Sequence, residues 1–182
     1  MRSWLELLRI SNLPTVWTNV LAGGVIANSP FGGRSSGFPA GTMIVVLISG
    51  SCLYLAGMVL NDVFDLKIDR QERPSRPIPS GRVSRRSAAM LGTILLVVGG
   101  SLPWTISIET GITALVLAGL VVLYEGIHAT TPWSVLAMAA CRAGLYVMAV
   151  FAVVTSAMAD GTTPVPWTAR TVMVLSVLIA LP

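Results

Sequence analysis

Nine consecutive residues, Asn61 to Asp69, read Asn-Asp-Val-Phe-Asp-Leu-Lys-Ile-Asp. They gather four oxygen-bearing side chains, Asn61, Asp62, Asp65 and Asp69, at the end of an apolar run of membrane-crossing length. Half of the chain's eight acidic residues lie between Asp62 and Glu72, and a basic, proline-punctuated stretch, Arg70 to Arg86, comes directly after. Magnesium prefers oxygen donors and typically uses one or two carboxylates together with substrate phosphates. Guanidinium groups complement it by meeting phosphate oxygens in two-point contacts. Carboxylates beside arginines at a membrane surface therefore point to a divalent cation holding a phosphorylated lipid.

The spacing supports that chemistry. If the preceding helix runs on through Asp69, its residues turn by 100° each, and Asn61, Asp62, Asp65 and Asp69 fall within an arc of about 100°. Pro74, Pro77 and Pro79 then end the helix and turn the chain back. A row of oxygen ligands would sit beneath an arginine-bearing loop, and metal plus arginine would stabilise charge on a departing diphosphate. The bland reading is a solvated loop that merely sets topology, and it serves as well for Lys67, Arg82, Arg85 and Arg86. It serves less well for Asn61, Asp65 and Asp69, because topology does not require the four-residue spacing.

The elements that position this cluster are legible from hydropathy. Of 182 residues, 54% are hydrophobic and only 11% charged, with a mean hydropathy of +0.78. Soluble domains carry about a quarter charged residues, so the chain belongs in a membrane. A crossing helix needs about 20 apolar residues. Candidates are Ile10–Asn28, Ala40–Leu60, Ser87–Ser107, Thr110–Gly126, Trp133–Ser156 and a sixth starting at Trp167. The last stops at Pro182 without a polar flank, as if cut in mid-element. Seven of the twelve basic residues lie in Asp62–Arg86, Arg2 and Arg9 share that side, and Arg34 alone marks the opposite loops. The positive-inside rule then puts the amino terminus and the acidic–basic loop in the cytoplasm. Cys52 and Cys141 sit in apolar runs and suggest no disulfide framework. A single histidine, His128, excludes histidine-rich metal sites.

The cluster and its basic continuation resemble the UbiA-type intramembrane prenyltransferases. That family's first aspartate-rich motif has the form Asn-Asp-x-x-Asp-x-x-x-Asp, matched by Asn61, Asp62, Asp65 and Asp69. Its usual continuation, Arg-Pro-x-Arg-Pro-Ile-Pro-x-Gly, is matched from Arg73 to Gly81. Arg82–Arg86 and the pair Cys141-Arg142 are most similar to a bacterial, EboC-like branch, which implies a bacterial inner membrane. The resemblance implies a single all-α domain over residues 1–182, a polytopic bundle with six spans present of about nine and a carboxy-terminal part missing. It also implies Mg2+-dependent transfer of an isoprenoid group from a prenyl diphosphate to a hydrophobic, often aromatic, acceptor. Carried over by position, Asn61, Asp65 and Asp69 would be catalytic, holding magnesium and diphosphate with Asp62. Arg73 and Arg76 would contact the diphosphate, and Asn12, Asn19 and Tyr124 would line the substrate cavity.

Two departures qualify the carry-over. A second aspartate-rich motif belongs beyond the fifth span, where the sequence has only Asp160. A Lys-Arg pair belongs a few residues after Tyr124, where His128 and Ala129 stand. The same fold acting as a non-catalytic isoprenoid-lipid binder or trafficking protein is the alternative. Arg142, at the middle of the fifth span, joins the substrate-binding candidates. A charge there costs a few kcal/mol, so it pairs, with Glu125 or an anionic ligand, or faces a wet cavity. Its structural alternative is a buried tie between helices. Gly23-Gly24 and Gly99-Gly100 suit close helix packing.

Overall fold

The computed structural model describes residues 2–28, 38–127 and 134–159. All regular structure among them is helical. Most of the Asn28–Pro39 connection with Arg34, and also His128, Trp133, Asp160 and the sixth span, lie outside the described residues.

The expected first span, Ile10–Asn28, is helical along its length, and a separate short helix precedes it. Helix α1 (Arg2–Leu8) ends at Arg9, whose φ of 46° is left-handed, and a 3-10 turn leads into α2 (Leu13–Asn28). At this break Arg9 meets two partners on the helix Ala40–Phe64, Asp62 at 3.1 Å and the Met58 sulfur at 3.8 Å. The described part of α2 has 16 residues. It buries one stripe, Leu13, Val16, Val20, Gly23, Gly24 and Ala27.

Helix α3 (Ala40–Phe64) is the central element, followed by α4 (Leu66–Glu72), α5 (Arg85–Ser101), α6 (Ile108–Ile127) and α7 (Ser134–Ala159). Among the described residues four helices are long and apolar enough to cross a membrane: Ala40–Phe64, Arg85–Thr105, Ile108–Gly126 and Met138–Ala159. The second to fifth expected spans are thus present, each within a few residues of its expected bounds. Large apolar residues such as Ile94, Val97, Leu115 and Val116 remain exposed, as a lipid-facing surface requires.

α3 packs chiefly on α5, and α7 on α2 and α6. Glycine makes two of these contacts possible. A β-carbon on Gly99 would lie 3.0 Å from the Leu53 backbone nitrogen, and one on Gly23 3.1 Å from the Tyr146 carbonyl oxygen. With the two backbones so close, the buried Ser49 hydroxyl on α3 donates to the Gly99 carbonyl at 2.6 Å. A main core joins Val16, Val20, Leu53, Leu117, Leu145 and Met148. A second, under the end of α3, joins Leu7, Val59, Val63, Leu66, Ile78, Val83 and Ala88. At the opposite end Thr42 and Ser156 hydroxyls meet at 2.9 Å, and Thr155 donates to Ser107 at 3.3 Å.

Gly99→Ala should lower the thermal stability of the detergent-purified protein, by about 1–3 kcal/mol, because the Leu53 backbone nitrogen as well as its side chain meets the added carbon. Gly41→Ala, with nothing within 4 Å of the new carbon, should leave the unfolding midpoint unchanged.

Candidate functional site

A cavity of about 420 Å³ lies between α2, α3, α6 and α7. Each element gives it one helical stripe. Asn12, Thr15, Val16 and Asn19 come from the first turn and α2, and Gly50, Leu53, Tyr54, Gly57 and Met58 from α3. Leu117, Val121, Tyr124 and Glu125 come from α6, and Met138, Cys141, Arg142 and Leu145 from α7. Asn12, Asn19, Tyr124 and Arg142, far apart in sequence, are therefore brought together on one cavity. Asn61, Asp62, Asp65, Asp69, Arg73 and Arg76 are not in its lining; they lie at and beyond the end of α3.

The motif does not present a single face. Backbone bonds keep a helical path through it, Asp65 N–H to Asn61 C=O at 2.9 Å and Asp69 N–H to Asp65 C=O at 2.8 Å. α3 nonetheless ends at Phe64, and Asp65 (φ −77°, ψ 2°) joins it to α4. The expected arc resolves into two edges. Asp62 and Asp69, seven residues apart, turn to Arg76: its Nη1 donates to Asp62 Oδ1 at 3.1 Å and to Asp69 Oδ2 at 2.7 Å. Arg9 Nη2 donates to the same Asp62 oxygen at 3.1 Å. Both carboxylates are buried, 3% and 2% exposed, and removing them from water is tolerable because guanidinium groups meet them.

Asn61 turns the other way. Its Nδ2 donates to Glu125 Oε2 at 2.9 Å. Glu125 is 4% exposed and lines the cavity, so this bond joins the motif to the cavity end. Asp65, half-buried and one turn beyond Asn61, lies within electrostatic range of Tyr124. The loop that turns Arg76 inward is itself a packed cap. Pro77 and Ile78 are buried, Val83 N–H returns to the Pro77 carbonyl at 3.0 Å, and Gly81 takes a φ of 76°. Arg73 is exposed at the end of α4. Arg82 meets Glu6 at 3.1 Å with both side chains about half exposed, a pair of little weight in stability.

Among the described residues no three His, Cys, Asp or Glu side chains converge on a metal position. The donor chemistry still fits magnesium: Asn61 and Asp65 offer amide and carboxylate oxygens one turn apart, and phosphates ordinarily complete its shell. Two cavity groups lie beyond the sequence-based expectations. Glu125 is expected only as a partner for Arg142, although a carboxylate in an apolar span is itself a functional signal. Tyr54 is not among the expected residues. It lies seven residues before Asn61 on the same stripe, and its buried hydroxyl has no hydrogen-bond partner among the described residues.

Residues 14–182 match the model of the UbiA prenyltransferase family. The chain is similar to a digeranylgeranylglyceryl phosphate synthase from Methanococcoides burtonii, 34% identical over 140 residues, 73% of this chain and 48% of the relative. One of the same description from Methanosarcina mazei is 36% identical over 143 residues, 72% of this chain and 48% of the relative. The chain thus spans about half the length of these curated relatives. A solved digeranylgeranylglyceryl phosphate synthase structure superposes with a TM-score of 0.78 at 25% identity, over 97% of this chain and 58% of that one. A UbiA homolog from Archaeoglobus fulgidus, bound to DMAPP and Mg2+, shares the fold, with a TM-score of 0.72 at 16% identity, over 94% of this chain and 59% of that one. These curated relatives are archaeal synthases, not members of the EboC-like branch expected from Arg82–Arg86 and Cys141-Arg142, and they give the expected bacterial membrane no support.

Arg76→Gln leaves two buried carboxylates short of a partner and should destabilise the protein by about 3 kcal/mol, read as a lower thermal midpoint in detergent. Adding Asp62→Asn and Asp69→Asn to that variant should restore much of the loss.

Proposed function

This chain belongs to the UbiA prenyltransferase family, and from that premise we propose that the native protein transfers an isoprenoid group from a prenyl diphosphate to a hydrophobic acceptor with Mg2+. The observation that carries this reading is the Asn61–Glu125 hydrogen bond, which ties the oxygen-rich motif to the end of an apolar cavity. The bias of basic residues supports a cytoplasmic position for that end.

In this reading Asn61 and Asp65 hold the metal and, through it, the diphosphate, while Asp62 and Asp69 orient Arg76 above them. Magnesium when bound would supply Lewis-acid stabilisation of the leaving diphosphate. Arg76 adds positive charge at the same end, and Arg73 is exposed enough to swing toward phosphate oxygens. The prenyl tail would lie against Leu53, Leu117, Val121 and Leu145. The C1–O bond of the donor breaks with its electron pair on the diphosphate, and an acceptor lone pair forms the new bond to C1. The acceptor's proton leaves with the diphosphate. Apolar walls exclude water from the allylic cation. Asn12, Asn19, Tyr124 and Arg142 are among the polar contacts available to an acceptor. The Archaeoglobus neighbour bound to DMAPP and Mg2+ supports the choice of donor and ion.

One observation favours the non-catalytic binder: Asp62 and Asp69 are already compensated by Arg76 and Arg9. The two readings separate cleanly. The native gene product should bind geranyl diphosphate only with Mg2+ and release pyrophosphate from it, and Asp65→Asn should cut that release by about 100-fold. Magnesium-dependent binding without release would favour the binder. Neither binding nor release would defeat both.

A further inference from the structure

Glu125 is a buried carboxylate inside an apolar span, where a charge is costly unless something answers it. Helices α3 and α6 run side by side there. A β-carbon on Gly57 would lie 3.3 Å from a Val121 methyl carbon and 4.0 Å from Glu125 Oε1. One turn further along both helices, Asn61 Nδ2 donates to Glu125 Oε2 at 2.9 Å. The missing side chain at Gly57 leaves room for this amide and this carboxylate to meet.

An asparagine amide has two ends of opposite use to a cation. The oxygen can bind one and the NH2 group cannot, and the outer side-chain torsion lets either end take a given place. An ionised carboxylate only accepts hydrogen bonds, so Glu125 selects the nitrogen and the oxygen is held on the amide's other edge. Asp65, the second ligand in the prenyl-transfer reading, follows Asn61 by one turn, its N–H on the Asn61 carbonyl at 2.9 Å. Metal-bound histidines are commonly fixed in the same way by a carboxylate behind them.

Resting on the prenyl-transfer reading, we infer that Glu125 is a positioning residue for Mg2+. From α6 it holds the Asn61 amide turned so that Oδ1, not Nδ2, is offered to the ion. Glu125 need not touch the metal for this. Its contribution is orientation, so the requirement at position 125 is a hydrogen-bond acceptor, and the requirement at position 61 exists only because an amide has one oxygen. A plain tie between α3 and α6 would carry neither requirement.

The test measures the Mg2+ concentration that half-saturates binding of geranyl thiodiphosphate to the native gene product in detergent. Glu125→Leu should raise that concentration by about 10- to 100-fold. Glu125→Gln, which still offers an oxygen acceptor, should recover part of the loss. Asn61→Asp added to Glu125→Leu should recover it as well, because a carboxylate offers an oxygen whichever way it turns. Glu125→Leu binding like the unaltered protein would overturn this inference alone. Glu125→Gln as poor as Glu125→Leu would overturn it in favour of charge. A loss that Asn61→Asp does not recover would overturn it in favour of a structural tie. If the unaltered protein bound the probe without regard to Mg2+, the prenyl-transfer reading would fall and this inference with it.

Discussion

One guanidinium nitrogen organises the polar end of this molecule. Arg76 Nη1 touches Asp62 and Asp69 together, and those two carboxylates sit on different helices, α3 and α4, two turns apart. The contact holds the break at Asp65 to one geometry and folds the proline-rich loop back over it. Arg9 adds a second cation on Asp62. Three close carboxylates would otherwise repel one another at the edge of a low-dielectric region. Two of the three, Asp62 and Asp69, are met by arginines. Beneath this polar layer, Leu7, Val63, Ile78 and Val83 pack into a core of their own, so the ion pairs are seated on apolar contacts from α1, α3 and the loop.

That arrangement divides the labour within nine residues. Asp62 and Asp69 hold the cap, while Asn61 and Asp65 are turned to the edge shared with Glu125 and Tyr124. The cavity then runs from this oxygen-rich end into the main core, changing from amide and carboxylate to leucine and valine. An amphiphile with a charged head and a hydrocarbon tail matches such a gradient in shape and polarity. Gly23 lets α2, one cavity wall, approach α7, another, to within backbone contact at Tyr146.

Most of the fold was legible because membrane helices are written in hydropathy. The spans expected from Ala40, Ser87, Thr110 and Trp133 follow from apolar run lengths and lie within a few residues of the observed ones, and the packing glycines follow from their pairing. The first span's start just after Arg9 was legible, but the short helix before it and the contact of Arg9 with Asp62, 53 residues away, were not. The motif's division into two edges was hidden for the same reason. Periodicity places side chains around one helix and says nothing of an arginine returning from a loop. Glu125 was visible as an acidic residue in an apolar span, but its partner Asn61 is 64 residues distant. Short motifs identified the family; the branch, read from Arg82–Arg86 and two residues of α7, was beyond what so few positions can specify.

The central claim is that the motif's cavity-facing edge, Asn61 and Asp65, grips a diphosphate whose tail enters the space among α2, α3, α6 and α7. An experimental structure of the native gene product with Mg2+ and a non-hydrolysable prenyl thiodiphosphate tests it most directly. The account expects phosphate density beside Asn61 and Asp65, a chain running past Leu53 and Val121, and Arg76 still bridging Asp62 and Asp69. A head group bound elsewhere, or a tail lying along the outer, lipid-facing surface of α5 and α6, would contradict it.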